Sequence, residues 1–288
     1  MSLKLIFGLP VAEQFIYTKQ LYYSIKKFCH DPLVLFSSDK DIGHSYDRLR
    51  KIKNKREYKY HQLQNFIFDA FEEIRNLNFD YFIKLDSDCL FANSGIDGIF
   101  AGKFDFLDSV DENDGKCNWL WAKKFSENIG SYHRILSDLG LSRKDARISG
   151  CLGAFQVHSK EAVNFIADRI NIIENNPGYL TMKQKGLCLD ELIVPNLLKD
   201  AGFAPRLTYL HEGAPQSSWR MRWRPYIGKE EVAYAADRDL NIMYHPLKRD
   251  LRDEARRILL EKIGYRYGLK DMAALSYDRM SSLWANRI

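Results

Sequence analysis

Tyr81-Phe82-Ile83-Lys84-Leu85-Asp86-Ser87-Asp88 decides the reading of this chain. Five residues rich in β-branched and aromatic side chains run into two carboxylates one residue apart, so a buried strand ends in an acidic turn. Upstream, Leu3–Gly8 is an apolar run broken by Lys4 and closed by Gly8-Leu9-Pro10, the pattern of a parallel strand and its turn. Ala12–Phe28 has helical spacing, with Phe15, Ile16, Leu21, Tyr22, Ile25 and Phe28 on one stripe. Leu33–Phe36 is a second short strand, and Leu63–Ile74 a helix turning Phe66, Ile67, Ala70, Phe71 and Ile74 inward. The order is β-α-β-α-β, so the expected fold class is α/β: a Rossmann-like, mostly parallel sheet flanked by helices.

Beyond Phe91 the texture changes. Asp105–Asn118 is polar and acidic, and Trp119–Ser149 reads as loop and amphipathic helix. Gly150–Val157 resembles a strand entered through glycines, and Glu161–Ile173 a helix stopping before Asn175-Asn176-Pro177-Gly178. Asp190 is placed to cap a helix over Glu191–Asp200 that Gly202 ends. Arg206–Leu210 and Asn241–Tyr244 read as late strands, Leu251–Ile263 as an amphipathic helix, and the last twenty residues as a helical tail. With no repeat and no linker-like stretch, the expected organisation is one domain over 1–250, with a nucleotide or donor half (1–110) and an acceptor half inserted over 111–250. A helical extension over 251–288 follows.

Composition narrows the class. Of the 288 residues, 45% are apolar and 28% charged, and 43 basic residues against 38 acidic ones give a net charge of +5. That excess is small for a chain built to hold nucleic acid. Seventeen Phe, 16 Tyr and 5 Trp exclude disorder, and no apolar run approaches the roughly 18 residues of a membrane span. Leu5–Ala12 is interrupted by Pro10 and reads as a first strand rather than a secretory signal. Cys29, Cys89, Cys117, Cys151 and Cys188 form no CxxC pair and read as small hydrophobes in a reducing, cytoplasmic compartment.

In open α/β sheets ligands bind outside the carboxyl ends of the strands, which is where Asp86 and Asp88 stand. Carboxylates spaced in this way can share one hard cation, Mn²⁺ or Mg²⁺, that also takes substrate phosphates. The plain alternative is one Asp capping the next turn and the other solvated.

The segment Asp80-Tyr-Phe-Ile-Lys-Leu-Asp86-Ser-Asp88-Cys-Leu resembles the DxD segment of nucleotide-sugar-dependent glycosyltransferases of the A-type (GT-A) fold. Asn65-Phe66 on the helix before it, Gly150-Cys-Leu-Gly153-Ala-Phe, and Asp190-Glu191 ahead of Ala201-Gly202-Phe203 are similar to further family motifs in the same order. The resemblance covers residues 3 to about 250. It implies that Asp86 and Asp88 hold the metal, with His245 completing its shell, and that a UDP-sugar is the donor. It further implies donor contacts at Phe7, Gly8, Leu9, Ser38, Asp39, Asn65, Asp86 and Ser87, and Glu191 as the base of an inverting transfer with Asp190 beside it. Gly150 and Gly153 fall under the acceptor, a carbohydrate or lipid-linked glycan. A retaining enzyme of the same fold, or a metal-dependent carbohydrate-binding protein without turnover, are the alternatives.

Other residues stand with two readings each. Lys84, in an otherwise apolar strand, pairs with an acidic residue or snorkels at the sheet edge, and Lys248 contacts the diphosphate or is solvated. Trp219, Arg222 and Trp223, in a stretch alternating aromatic and cation, stack on a sugar or merely cover the core. Arg48–Lys59 reads as a solvated basic face or as a peripheral contact with an anionic membrane. A dehalogenase-type phosphatase puts its DxD on the first strand, followed by Thr or Val where this chain has Leu90. A sugar nucleotidyltransferase needs a basic Gly-rich loop that Gly8-Leu9-Pro10-Val11 lacks.

Overall fold

The structure is a computed structural model that describes residues 3–10, 15–37, 49–52, 56, 63–108, 120–151, 153–207, 221–223, 227–238, 241–245, 247–248, 250 and 252–268. Its elements are, in chain order, β1 (Leu5–Pro10), α1 (Phe15–Phe28), β2 (Leu33–Ser37), β3 (Leu49–Lys51), α2 (Leu63–Ile74), β4 (Tyr81–Leu85) and β5 (Leu90–Phe91). A 3₁₀ turn over Ile96–Phe100 leads to β6 (Phe106–Asp108), α3 (Leu120–Glu127), α4 (Ile129–Asp138), β7 (Phe155–Ser159), α5 (Lys160–Ala167), α6 (Ile170–Asn175) and α7 (Pro177–Gln184). The chain continues through α8 (Leu189–Ala201), β8 (Pro205–Leu207), β9 (Met221–Trp223), α9 (Lys229–Asp237), β10 (Met243–His245) and α10 (Glu254–Ile263).

A seven-stranded sheet runs in the order β3-β2-β1-β4-β7-β6-β8, and only β7 is antiparallel to the rest. The expected mixed α/β architecture with a mostly parallel sheet is therefore what the chain adopts. Because side chains alternate across a strand, Leu5, Phe7, Leu9, Tyr81, Ile83 and Leu85 enter one core with α1, α10 and the small sheet β5-β10-β9. On the opposite face Ile6 and Phe82 join α2, α5 and α8. Gly8 lies on that face because nothing larger fits: a Cβ there would sit 2.5 Å from the Phe82 ring.

Several local expectations are corrected. The basic run contributes an edge strand, β3, and Arg56 is held by Asp69, Glu72 and Glu174 rather than solvated. The helix expected over Glu161–Ile173 is two, α5 and α6, because Asp168 and Arg169 end one and begin the next. Asn176 closes α6 as expected and also opens α7, its side chain accepting from the Gly178 and Tyr179 amides, with Pro177 in the first turn. Strand β7 begins at Phe155, after the glycines. Tyr244 and His245 belong to the separate three-stranded sheet, not the central one. The tail beyond Gly268 lies outside the described residues.

Candidate active site

Asp86 follows β4 directly, and a turn carries the chain through Asp88 into β5, with the Cys89 amide bonded to the Asp86 carbonyl at 3.1 Å. The Leu247 amide donates to the Asp88 carbonyl at 2.9 Å, which pins the segment after β10 against this turn. That brings His245 Nε2 to 3.5 Å from Asp88 Oδ1, both side chains about four-fifths buried. Asp88, Cys89 and His245 each offer a ligand atom within 4.8 Å of the others. The carboxylate oxygen suits a hard divalent ion such as Mn²⁺, and the imidazole nitrogen is a further nitrogen ligand for a first-row divalent metal. Cys89 suits it less, because burial holds its thiol well above its ordinary pKa. Asp86 is not one of this group; its Oδ1 lies 2.6 Å from the ammonium of Lys84.

A second acidic pair begins α8. Asp190 does not cap this helix: Cys188 stands at the N-cap and makes no side-chain cap bond, while Asp190 lies buried in the first turn. The helix continues through Pro195, which has no N–H for the carbonyl of Glu191 four residues back. That carbonyl accepts instead from the Cys151 amide at 2.9 Å, which draws the glycine-led segment onto the helix start. Glu191 Oε1 accepts from the Gly153 amide at 2.8 Å, and Gln156 Nε2 donates to the Asp190 carbonyl at 2.9 Å. A Cβ on Gly153 would fall 2.6 Å from Glu191 Oε1 and would displace that carboxylate. Burial first, and then the Asp190 carboxylate, push Glu191 up to about 7, and burial also raises Asp190.

Of the other sequence candidates, the side chains of Phe7 and Leu9 are core, and Phe7 packs edge-on against Phe91. Asn65 is buried on α2, Ser87 is half-buried in the acidic turn, and Lys248 is exposed. Gly150 is buried, its amide donating to Asp108 at 3.1 Å. Arg222 and Trp223 stand in β9 directly opposite Tyr244 and His245. Ser38, Asp39 and Trp219 lie outside the described residues.

Two supports escaped the sequence reading. Asp108, at the end of β6, holds Arg147, Ser149 and Gly150 and so fixes the glycine-led segment. Arg256 on α10 is fully buried, its Nε bonded to the Lys248 carbonyl at 2.9 Å and its Nη1 to Gln20 at 2.8 Å. The signal for Arg256 was present: it shares the inward stripe with Leu260 and Ile263 at i+4 and i+7, where a cation needs a reason.

No protein-family model matches the chain, and none of the curated proteins is similar to it in sequence. Among solved structures it is similar to the apo form of the glycosyltransferase GlyE of Streptococcus pneumoniae TIGR4. That similarity has 10% sequence identity and a TM-score of 0.44, and it covers 97% of this chain. The chain spans 64% of that structure's length. Among the described residues no helix is long and apolar enough to cross a membrane.

Proposed function

We propose that the protein is a metal-dependent glycosyltransferase that moves a sugar from a nucleoside-diphosphate donor, a UDP-sugar, to a hydroxyl acceptor with inversion. The observation that carries this reading is the presence of two unlike acidic sites joined at the carboxyl end of β4. One offers Asp88 and His245 to a cation. The other holds a partly buried carboxylate, Glu191, with its proton affinity raised toward neutrality. Ligands of open α/β sheets bind at such strand ends.

A divalent ion, when bound, supplies positive charge to the leaving diphosphate. Asp88 and His245 would hold it, with Asp86 alongside. Glu191, ionised above about pH 7, accepts the proton of the acceptor hydroxyl as its oxygen attacks the anomeric carbon. The new C–O bond forms as the bond from that carbon to the diphosphate oxygen breaks. Gly153 fixes the Glu191 carboxylate through its amide. Arg222 and Trp223 belong to the strand paired with β10; Arg suits phosphate and Trp a sugar ring.

Thermal unfolding tests the binding half. UDP, GDP, dTDP and CDP are each added with and without Mn²⁺. Saturation at about 100 times the dissociation constant adds about 2.7 kcal/mol, a midpoint rise of a few degrees. The expected result is a rise with UDP that needs Mn²⁺ and disappears in Asp88→Ala. No rise with any nucleotide, together with Ca²⁺-dependent sugar binding, makes the protein a carbohydrate binder instead.

A further inference from the structure

The lysine of β4 has no place in the reaction as written above, yet its charge is buried in the sheet. Lys84 is fully buried, in the middle strand of seven, opposite Gln156 of β7. It does not snorkel at an edge. An ammonium taken out of water costs several kcal/mol unless its protons are matched, and Lys84 has three to place. One goes to Asp86 Oδ1 at 2.6 Å and another to the carbonyl of Gly153. Asp190 and Glu191 lie close enough for their charges to act on it as well.

Gly153 is thereby gripped from both sides. Its carbonyl accepts from Lys84, and its amide donates to Glu191 at 2.8 Å. The backbone repeats the tie, since the Asp86 amide donates to the Ala154 carbonyl at 3.1 Å. One continuous chain of contacts therefore runs Asp86, Lys84, Gly153, Glu191, from the carboxylate beside the cation site to the candidate base. Replacing its one cation with an apolar side chain would leave the buried Asp190 and the partly buried Asp86 and Glu191 with no counter-charge among these contacts.

We infer that Lys84 is a positioning residue that fixes the acceptor base relative to the donor–metal side, so that the two half-sites are held in one register by a single buried ammonium. The inference rests on the glycosyl-transfer reading of the two half-sites. Displacement of a reacting group by about 1 Å costs about 100-fold in rate, so the link matters kinetically even where the fold survives without it.

A double-mutant cycle provides the test. Mn²⁺-dependent hydrolysis of UDP-glucose, UDP-galactose and UDP-N-acetylglucosamine, with water as acceptor, is followed for wild type, Lys84→Met, Glu191→Gln and the double variant. Lys84→Met is expected to lower kcat about 100-fold, and the double variant to lose no more than about threefold beyond Glu191→Gln, because a misplaced base has nothing left to give. Lys84→Arg, which keeps the charge, restores part of the rate. Losses that multiply in the double variant, or a Lys84→Met rate within threefold of wild type, overturn the inference.

If Lys84→Met does not fold, Lys84→Gln in ¹⁵N-glycine-labelled protein takes its place. The Gly153 amide resonance should then move and Mn²⁺-dependent UDP binding weaken together, and neither changing overturns the inference. Wild type that binds none of the nucleoside diphosphates with Mn²⁺ sinks the transferase reading and this inference with it. Wild-type binding with indifferent Lys84 variants sinks the inference alone.

Discussion

Two ionisable side chains sit on paired strands of the central sheet, one pleat repeat apart on the same face, and they have opposite fates. Lys84 of β4 lies opposite Gln156 of β7, and His158 lies opposite Phe82. Both are fully buried. Around Lys84 there are carboxylates and a carbonyl, so it keeps its charge, and Asp86 and its neighbours outweigh the cost of desolvation. Around His158 there is the edge of Phe71, and neither ring nitrogen has a hydrogen-bond partner. Burial alone pushes its pKa down to about 3. Depth in the sheet is equal for the two, so what differs is the supply of partners. Lys84 has that supply at the carboxyl end of β4, where the acidic turn and the start of α8 meet.

The comparison is broken most violently at the polar end. Asp88→Ala should reduce Mn²⁺-dependent nucleotide-sugar turnover about a thousandfold, several kcal/mol of charge stabilisation, and abolish the effect of Mn²⁺ on UDP binding. Gly153→Ala comes next. Its new methyl meets Glu191 Oε1 at 2.6 Å, so turnover should fall about 100-fold while Mn²⁺-dependent UDP affinity, measured by calorimetry, stays within about threefold.

Two stability measurements sharpen the contrast, because the regions should respond to pH with opposite sign. Glu191 has a folded pKa near 7, raised from 4.5. Its ionisation therefore costs the folded state stability as pH rises through that window and nothing below it. Glu191→Gln should gain on wild type by about 3 kcal/mol between pH 4 and pH 8, read from denaturant unfolding. His158 has a folded pKa near 3, lowered from 6.5. Its contribution is complete above pH 6.5 and is lost as pH falls toward 3. Wild type should lose about 2 kcal/mol through this group between pH 8 and pH 5, and His158→Leu should lose none of it. Equal pH slopes for His158→Leu and wild type would mean that the ring finds a partner in solution.

The sheet was legible because its signal is local. Apolar runs at Leu5–Leu9 and Tyr81–Leu85, with a helical stripe at Phe66–Ile74, specify a parallel α/β core one segment at a time. The Asp86/Asp88 turn was legible for the same reason. What the sequence did not disclose depends on pairs far apart in it. The strand direction of β7 follows from its pairing with β4, the Lys84–Gly153 contact spans 69 positions, and Arg256 reaches Gln20 across 236. Asp190 was misread as a cap because an acidic residue at a helix start has a common local explanation, whereas its actual surroundings come from β4 and β7. Pro195 lies inside α8, within the helix expected over Glu191–Asp200. Its value lies in the Glu191 carbonyl that it frees for Cys151.

The central claim is that the end of β4 carries glycosyl transfer, and release of UDP from UDP-sugars tests it most directly. Wild type, Asp88→Ala and Glu191→Gln are compared with and without Mn²⁺ across UDP-glucose, UDP-galactose and UDP-N-acetylglucosamine. The account predicts Mn²⁺-dependent release from one of these donors by wild type. It predicts none from Asp88→Ala, and slow release with intact UDP binding from Glu191→Gln. No release by wild type from any donor, or release that both substitutions leave unchanged, would contradict it.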